Sequence, residues 1–379
     1  MASTKVCAQI TLFLNLLVWL TTAKYQLESV QIVFRHGDRT PTKEELYPKA
    51  EHNPIYDTLG YGQLTEAGKI REFRLGMMLR QRYSTFLGGS HHYGDVFARS
   101  TDTDRTKMSL QLVLGGIYPP GLNELGQLQL SPISIQFTPF IVDSLLFPVY
   151  CPTYQTEWKK TRDSFAVHVI KKKYKDLLDY LAEHTGLDMT TSPTFATYQL
   201  YHYITSQGSI NVTLPEWATK DVQSKIEKIT ALEYMLQSHT KLMKRLNGGF
   251  LVKEFIKNMN FKGNTTQPKI YIYSGHEINI AAFAKAHDFI EPILPAYGSA
   301  IIVEKLRSSN GKIYIQMLLW TGVTEKLITY VIPNCGIICS YDKYIRLMQD
   351  VIPSDEESNC LWNNTSKEHL HMYYNEKLN

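Results

Sequence analysis

Long hydrophobic runs are almost absent from this chain, and cysteine is scarce, with five in 379 residues. The one extended apolar run, residues 10–20, is too short for a membrane span. One lysine precedes it and Thr21-Thr22-Ala23 follows, so residues 1–23 read as a removable signal peptide. No later run approaches spanning length, and no membrane anchor is expected after cleavage. Excess charge of one sign is missing too: 40 Lys and Arg against 36 Asp and Glu leave a net +4. The only basic block, Lys171-Lys172-Lys173-Tyr174-Lys175, lies within an amphipathic helical pattern (Phe165, Val169, Leu177, Leu178, Leu181), which makes it a solvated helix face. Nucleic-acid binding is therefore not expected. Low-complexity linkers and internal repeats are absent as well, so length alone does not divide the chain into independent domains.

The scarce cysteines are still informative. Removing Cys7 with the signal leaves Cys151, Cys335, Cys339 and Cys360, an even number suited to an oxidising compartment, with three connectivities open. No C-x-x-C spacing and no neighbouring histidine pair favours a metal. Asn211, Asn264, Asn363 and Asn364 each begin a glycosylation sequon, the last two overlapping.

The chemistry concentrates at Arg35-His36-Gly37-Asp38-Arg39-Thr40-Pro41. A Val/Ile/Phe-rich strand over residues 27–34 ends there, placing an imidazole among guanidiniums. Arginine forks match phosphate oxygens, and histidine can attack or shuttle a proton. Alone, such a turn would read as a solvated loop. Two more strand ends change the reading. Lys269-Ile270-Tyr271-Ile272-Tyr273-Ser274-Gly275-His276-Glu277 runs from a strand into a helix over residues 278–287. Asp95-Val96-Phe97-Ala98-Arg99-Ser100-Thr101-Asp102 ends another strand, with Ser100 or Asp102 placed to cap a helix to about Gly115. Open α/β sheets bind ligands beyond the carboxyl ends of their strands, and three such ends here carry His, Arg and Glu.

These motifs, in this order, resemble those of the histidine acid phosphatases. Arg35 to Pro41 is similar to the family's R-H-G-x-R-x-P signature. Arg99-Ser100-Thr101-Asp102 with Arg105-Thr106 is similar to its second arginine motif. Ser274-Gly275-His276-Glu277 stands where the family usually has G-H-D, and Leu64-Thr65-Glu66-Ala67-Gly68 belongs to the same resemblance. Glu277 and Tyr118-Pro119-Pro120 most resemble the insect venom members.

The resemblance implies an α/β fold with a central mixed sheet flanked by helices and an inserted, mainly helical lid. The expected division is a core of residues 24–142 and 250–379, with residues 143–249 inserted. Periodicity agrees: Ile226, Ile229, Leu232, Leu236, Leu242, Met243 and Leu246 recur at helix spacing, with Gly248-Gly249 as a stop. A helix over residues 65–83, capped by Thr65, and strands over 301–303 and 313–319 complete the expectation.

For the site, the resemblance implies His36 as nucleophile, with Arg35, Arg39, Arg99 and His276 holding the phosphate and Glu277 protonating the leaving alkoxide. Glu has nearly the acidity of the usual Asp but reaches one methylene farther. Asp38 and Asp102 could instead engage an arginine, and Arg105 is expected in a structural salt bridge. No cofactor or metal is implied, because side chains supply the positive charge. The implied pairings are Cys151–Cys360 and Cys335–Cys339. The expected protein is a secreted acid phosphatase acting on small phosphomonoesters or phosphoproteins, with a homodimer suggested by relatives. The alternatives are an inositol-polyphosphate phosphatase or an inactive secreted binding or toxin-like protein on the same fold.

Overall fold

The computed structural model describes residues 25–122, 128–129, 132–261 and 267–358. The expected signal peptide, Cys360, Asn264, Asn363 and Asn364 lie outside those residues. Ten strands follow in chain order: β1 (Tyr25–Arg35), β2 (Val96–Thr101), β3 (Gly121–Leu122), β4 (Leu128–Gln129), β5 (Gln136–Thr138), β6 (Ile270–Gly275), β7 (Ala300–Ser308), β8 (Ile313–Trp320), β9 (Leu327–Thr329) and β10 (Ile338–Ser340). β3 and β4 pair only with each other. The rest form one sheet in the order β10-β8-β7-β1-β6-β2-β5, with β9 also on β8.

The sheet is mixed. β1, β6, β2 and β5 run parallel, whereas β7 is antiparallel to β1 and to β8. Side chains alternate across a strand, and here both faces are covered. Ile32 and Phe34 of β1 pack with Ile272 and Ile302 beneath the helices Glu66–Leu87 and Asp104–Ile117. Val33 points the other way, into a core with Tyr273, Ile301 and Met317. The helices Gly248–Met259, Glu277–Ala286 and Tyr341–Met348 cover that face through Phe255, Phe283 and Tyr344. Gln31 is one of the buried polar residues of β1. Its Nε2 donates to Phe255 O (2.8 Å), and its Oε1 accepts from Asn258 Nδ2 (2.9 Å).

Between β5 and β6 every helix or strand from Pro152 to Met259 is helical. The helices Lys175–Thr185, Pro193–Ser209 and Lys220–Leu236 build a separate core from Leu181, Leu200, Tyr203, Ile226 and Ile229, joined by Tyr47. The stop expected at Gly248-Gly249 is not there. The break falls at Asn247, and both glycines begin the next helix. A Cβ on Gly248 would lie 2.1 Å from Ala282 O, and one on Gly249 2.0 Å from Val351 O, so these glycines serve close approach. Cys335 and Cys339 form a disulfide. Cys151 is disulfide-bonded too, and its expected partner lies outside the described residues. Among the described residues, no helix is long and apolar enough to cross a membrane.

Candidate active site

The parallel strands deliver their carboxyl ends to one edge of the sheet. Arg35 closes β1 opposite Gly275, the last residue of β6, and Ser100 of β2 lies opposite Ser274. The next residue, His36, donates its backbone N–H to Gly275 O (3.1 Å). The helices Asp104–Ile117 and Glu277–Ala286 start at the same edge, so two helix N-termini add partial positive charge suited to an anion.

A second segment clamps the turn after His36. Thr65 donates its backbone N–H to Asp38 O (2.9 Å) and caps its helix by accepting from Gly68 N (3.1 Å). A Cβ on Gly68 would stand 2.1 Å from Asp38 O, and one on Gly37 2.5 Å from Gly68 O. The Leu64-Thr65-Glu66-Ala67-Gly68 motif is thus the seat of the His36 turn. Gly37 N–H donates to Ser109 Oγ (3.2 Å), tying in a third element.

His36 is almost completely buried. Its Nδ1 lies 2.9 Å from Gly37 O. A carbonyl only accepts, so Nδ1 carries the hydrogen and Nε2 keeps its lone pair. Burial, and then the charges of Arg105, Arg35, His276 and Arg39, hold its pKa well below the ordinary 6.5. The ring is therefore neutral under mildly acidic conditions. His276 stands edge-on to it, with ring centroids 5.4 Å apart, and its Nε2 is 3.0 Å from Thr101 Oγ1. Burial and Arg105 push His276 down to about 3, against the pull of Glu277.

Arg35 is held from several sides. Nη1 donates to Pro295 O (2.6 Å), Nη2 to His202 Nδ1 (3.5 Å), and Nε lies 3.3 Å from Glu277 Oε2. The guanidinium also sits 4.0 Å from the centre of the Tyr297 ring. Arg39 gives Nη1 and Nη2 to Glu45 at 2.7 and 2.5 Å. Burial would raise the pKa of Glu277, but His202 and Arg35 outweigh it and hold the carboxyl well below its usual range.

Arg99 does not join this group. Its Nη2 donates to Asp143 Oδ1 (2.6 Å) and Thr138 Oγ1 (3.3 Å). On β2 it alternates with Ala98 and Ser100 and so faces away from the strand-end site. Arg105, expected in a structural salt bridge, has no carboxylate partner among the described residues, and its Nε is buried and unbonded. Burial and Arg39 lower it to about 10, which still leaves it charged. Arg105 heads the charges acting on both His36 and His276. The first turn of the helix, not the end of the strand, supplies the third site cation. Asp38 pairs with none of these arginines but with Arg71 (2.5 Å), and Asp102 pairs with Lys107. Nor does Ser100 or Asp102 cap the helix, whose N-cap is Thr103.

The sequence profile of the Histidine phosphatase superfamily (branch 2) matches residues 26–319, most of the chain. The chain belongs to that family. It is 36% identical over 346 residues to venom acid phosphatase Acph-1 of Apis mellifera, covering 88% of each protein. Against the lysosomal acid phosphatase of Homo sapiens it is 30% identical over 360 residues, covering 93% of this chain and 84% of that one. Among solved structures, the Hafnia alvei phytase in complex with myo-inositol hexakis sulphate superposes with a TM-score of 0.68 at 16% identity. That match covers 90% of this chain and all of the phytase. At that identity the likeness speaks for the fold alone.

This member of the family completes its site with residues that no motif marked. Tyr198 and His202, from the Pro193–Ser209 helix, approach Glu277 Oε1 at 2.6 and 3.6 Å. Glu45 braces Arg39 from the short Lys43–Glu45 turn. Tyr198 and His202 stand at i,i+4 on one face of their helix, a spacing that names no partner for them. His36, His276 and Glu277 also place potential ligand atoms within 4.8 Å of one another. Arg35, Arg39 and Arg105 surround them with permanent positive charge, so the pocket suits an anion and repels a cation.

Proposed function

We propose that this chain is a secreted acid phosphatase that hydrolyses phosphate monoesters through a phosphohistidine on His36. The observation that carries the reading is the fixed tautomer of His36. Gly37 O holds the Nδ1 hydrogen, leaving the Nε2 lone pair free among Arg35, Arg39 and Arg105. In the first step, Nε2 attacks phosphorus and the ester oxygen departs with its bonding electrons, taking a proton from Glu277. In the second, water attacks the phosphohistidine, Glu277 takes back a proton, and inorganic phosphate leaves with Nε2 restored. Splitting the reaction lowers each barrier. The guanidiniums stabilise charge building on the equatorial oxygens without reorganising, and His276 adds a neutral contact.

The charges around Glu277 favour its ionised form, yet the first step needs it protonated. A bound phosphoryl group answers this, because its negative charge offsets the cations that depress the carboxyl and raises its affinity for a proton. Secretion is supported by the N-terminal apolar segment and by disulfide use. Extending the likeness of relatives, we place small phosphomonoesters or phosphoproteins as substrates, a homodimer as the assembly, and the inserted helices as a lid beside the cleft.

Turnover of p-nitrophenyl phosphate by the mature protein at acid pH tests the function, with His36→Ala as its control. Loss of turnover in the variant is the expected result, and near-normal turnover would reject His36 as nucleophile. Turnover of inositol hexakisphosphate in preference to simple monoesters would favour the polyphosphatase alternative.

A further inference from the structure

We infer that Tyr198 and His202 are positioning residues that decide which oxygen of Glu277 carries the transferable proton. The inference rests on the reading of Glu277 as general acid. Both residues come from the Pro193–Ser209 helix, one turn apart, so a segment outside the sheet reaches the acid from above the strand ends.

The two carboxyl oxygens of Glu277 have different surroundings. Oε1 accepts the Tyr198 hydroxyl hydrogen at 2.6 Å and lies 3.6 Å from His202 Nε2. Oε2 lies 3.3 Å from Arg35 Nε, which has no aligned hydrogen-bond partner. The tautomer of His202 follows from its other side. Arg35 Nη2 can only donate, so Nδ1 of His202 is the acceptor and Nε2 bears the hydrogen. That hydrogen faces Glu277 Oε1 and the Tyr234 hydroxyl, 3.2 Å away. Burial, opposed by Glu277 and reinforced by Arg35, lowers His202 to about 4, which favours its neutral form with the hydrogen on Nε2. Burial and then Glu277 hold the Tyr198 phenol well above its usual pKa, so it too remains a donor.

A proton placed on Oε1 would have to share that oxygen with the hydrogen of the Tyr198 hydroxyl, which weakens that bond. That hydroxyl has no other acceptor among the described residues, and a buried unpaired O–H costs more than a hydrogen bond is worth. The inferred seat of the proton is therefore Oε2, to which Arg35 Nε, 3.3 Å away, makes no aligned hydrogen bond. An acid that keeps its proton on one oxygen delivers it along one direction, as efficient transfer requires.

The test compares single-turnover phosphorylation by glycerol phosphate and by p-nitrophenyl phosphate across pH. It uses Tyr198→Phe, His202→Leu, His202→Gln and Glu277→Gln in the full mature protein. The other charges facing Glu277 stay constant: Arg35 and His36 after β1, Arg39 with its partner Glu45, and Arg105 and His276 at the two helix starts. So do the Tyr234 and Tyr297 phenols.

Losing one donor should let the proton visit Oε1 and slow the alkyl ester about five- to tenfold, the worth of one hydrogen bond. The nitrophenyl ester, with its good leaving group, should slow much less. Fewer donors to the carboxylate also raise its pKa, so the alkaline limb for glycerol phosphate should move to higher pH in Tyr198→Phe and His202→Leu. His202→Gln, which keeps an N–H near the position of Nε2, should stay close to the parent. Tyr198→Phe is nearly isosteric and carries the test if the leucine variant fails to fold. Equal slowing of both esters with an unmoved limb, while Glu277→Gln still discriminates between them, would overturn the inference and leave the acid assignment standing. If Glu277→Gln slows both esters equally, the acid assignment itself falls, and the inference falls with it.

Discussion

His36 and Arg105 set the chemistry at the scale of single residues. Because burial and neighbouring cations depress His36 well below 6.5, its nucleophilic neutral form persists as pH falls. The acid limb of kcat/KM should therefore lie well below 6.5, and a limb at the ordinary imidazole value would show that the field around His36 is weaker than the geometry requires. Arg105→Ala should cost about 10² to 10³ in kcat/KM, as removal of a preorganised donor does. Arg99→Ala should act on stability instead. It leaves the fully buried Asp143 side chain without its cation, at a cost of roughly 3–5 kcal/mol. Kinetics and thermal melting of the two variants separate the roles, and the reverse pattern would restore Arg99 to the site. That His36, His276 and Glu277 would lie close together was legible because they follow the ends of β1 and β6. Arg99 and Arg105 share one motif, and only strand alternation and the helix start decide which of them lies near His36.

At the scale of elements, the site depends on a seat as much as on a strand. The turn after β1 rests on the first turn of the Glu66–Leu87 helix with no room for a side chain at Gly68. Gly68→Ala should displace Asp38 and with it His36, lowering kcat and melting temperature together. A variant with parental kinetics would show that the turn holds its shape without that contact. The Leu64 to Gly68 motif was visible in the sequence, but its purpose was not, since a close backbone approach has no periodic signature. Gly248 and Gly249 illustrate the same limit. Glycine pairs often end helices, yet these two begin one because neighbouring backbone oxygens lie where their Cβ atoms would be. Glu45, Tyr198 and His202 were hidden for a related reason. Tyr198 and His202 act on a residue distant in sequence and Glu45 on one across a turn, and such polar side chains read as surface until a fold supplies their partners.

For the whole molecule, the central sheet brings distant segments into one anion-binding edge, and the inserted helices add hydrogen-bond donors to it. In the proposed mechanism, Arg35, Arg39 and Arg105 supply the positive charge that a metal pair supplies in metal-dependent phosphatases. Extensive chelation should therefore leave kcat unchanged, whereas vanadate, a mimic of five-coordinate phosphorus, should inhibit. Restoration of a chelated enzyme by zinc or magnesium would contradict that expectation. The mixed sheet and the long helical stretch were readable from hydrophobic period and from the family's motifs. The sheet order was not, because β1 meets β6 only across more than two hundred intervening residues. The most direct test of the whole account is to quench the enzyme during turnover of labelled substrate and locate the trapped phosphate. A label on His36 that survives alkali and is lost in acid, as a phosphoramidate is, is the expected result. Acid-stable label on another residue, or no covalent label with turnover intact, would contradict it.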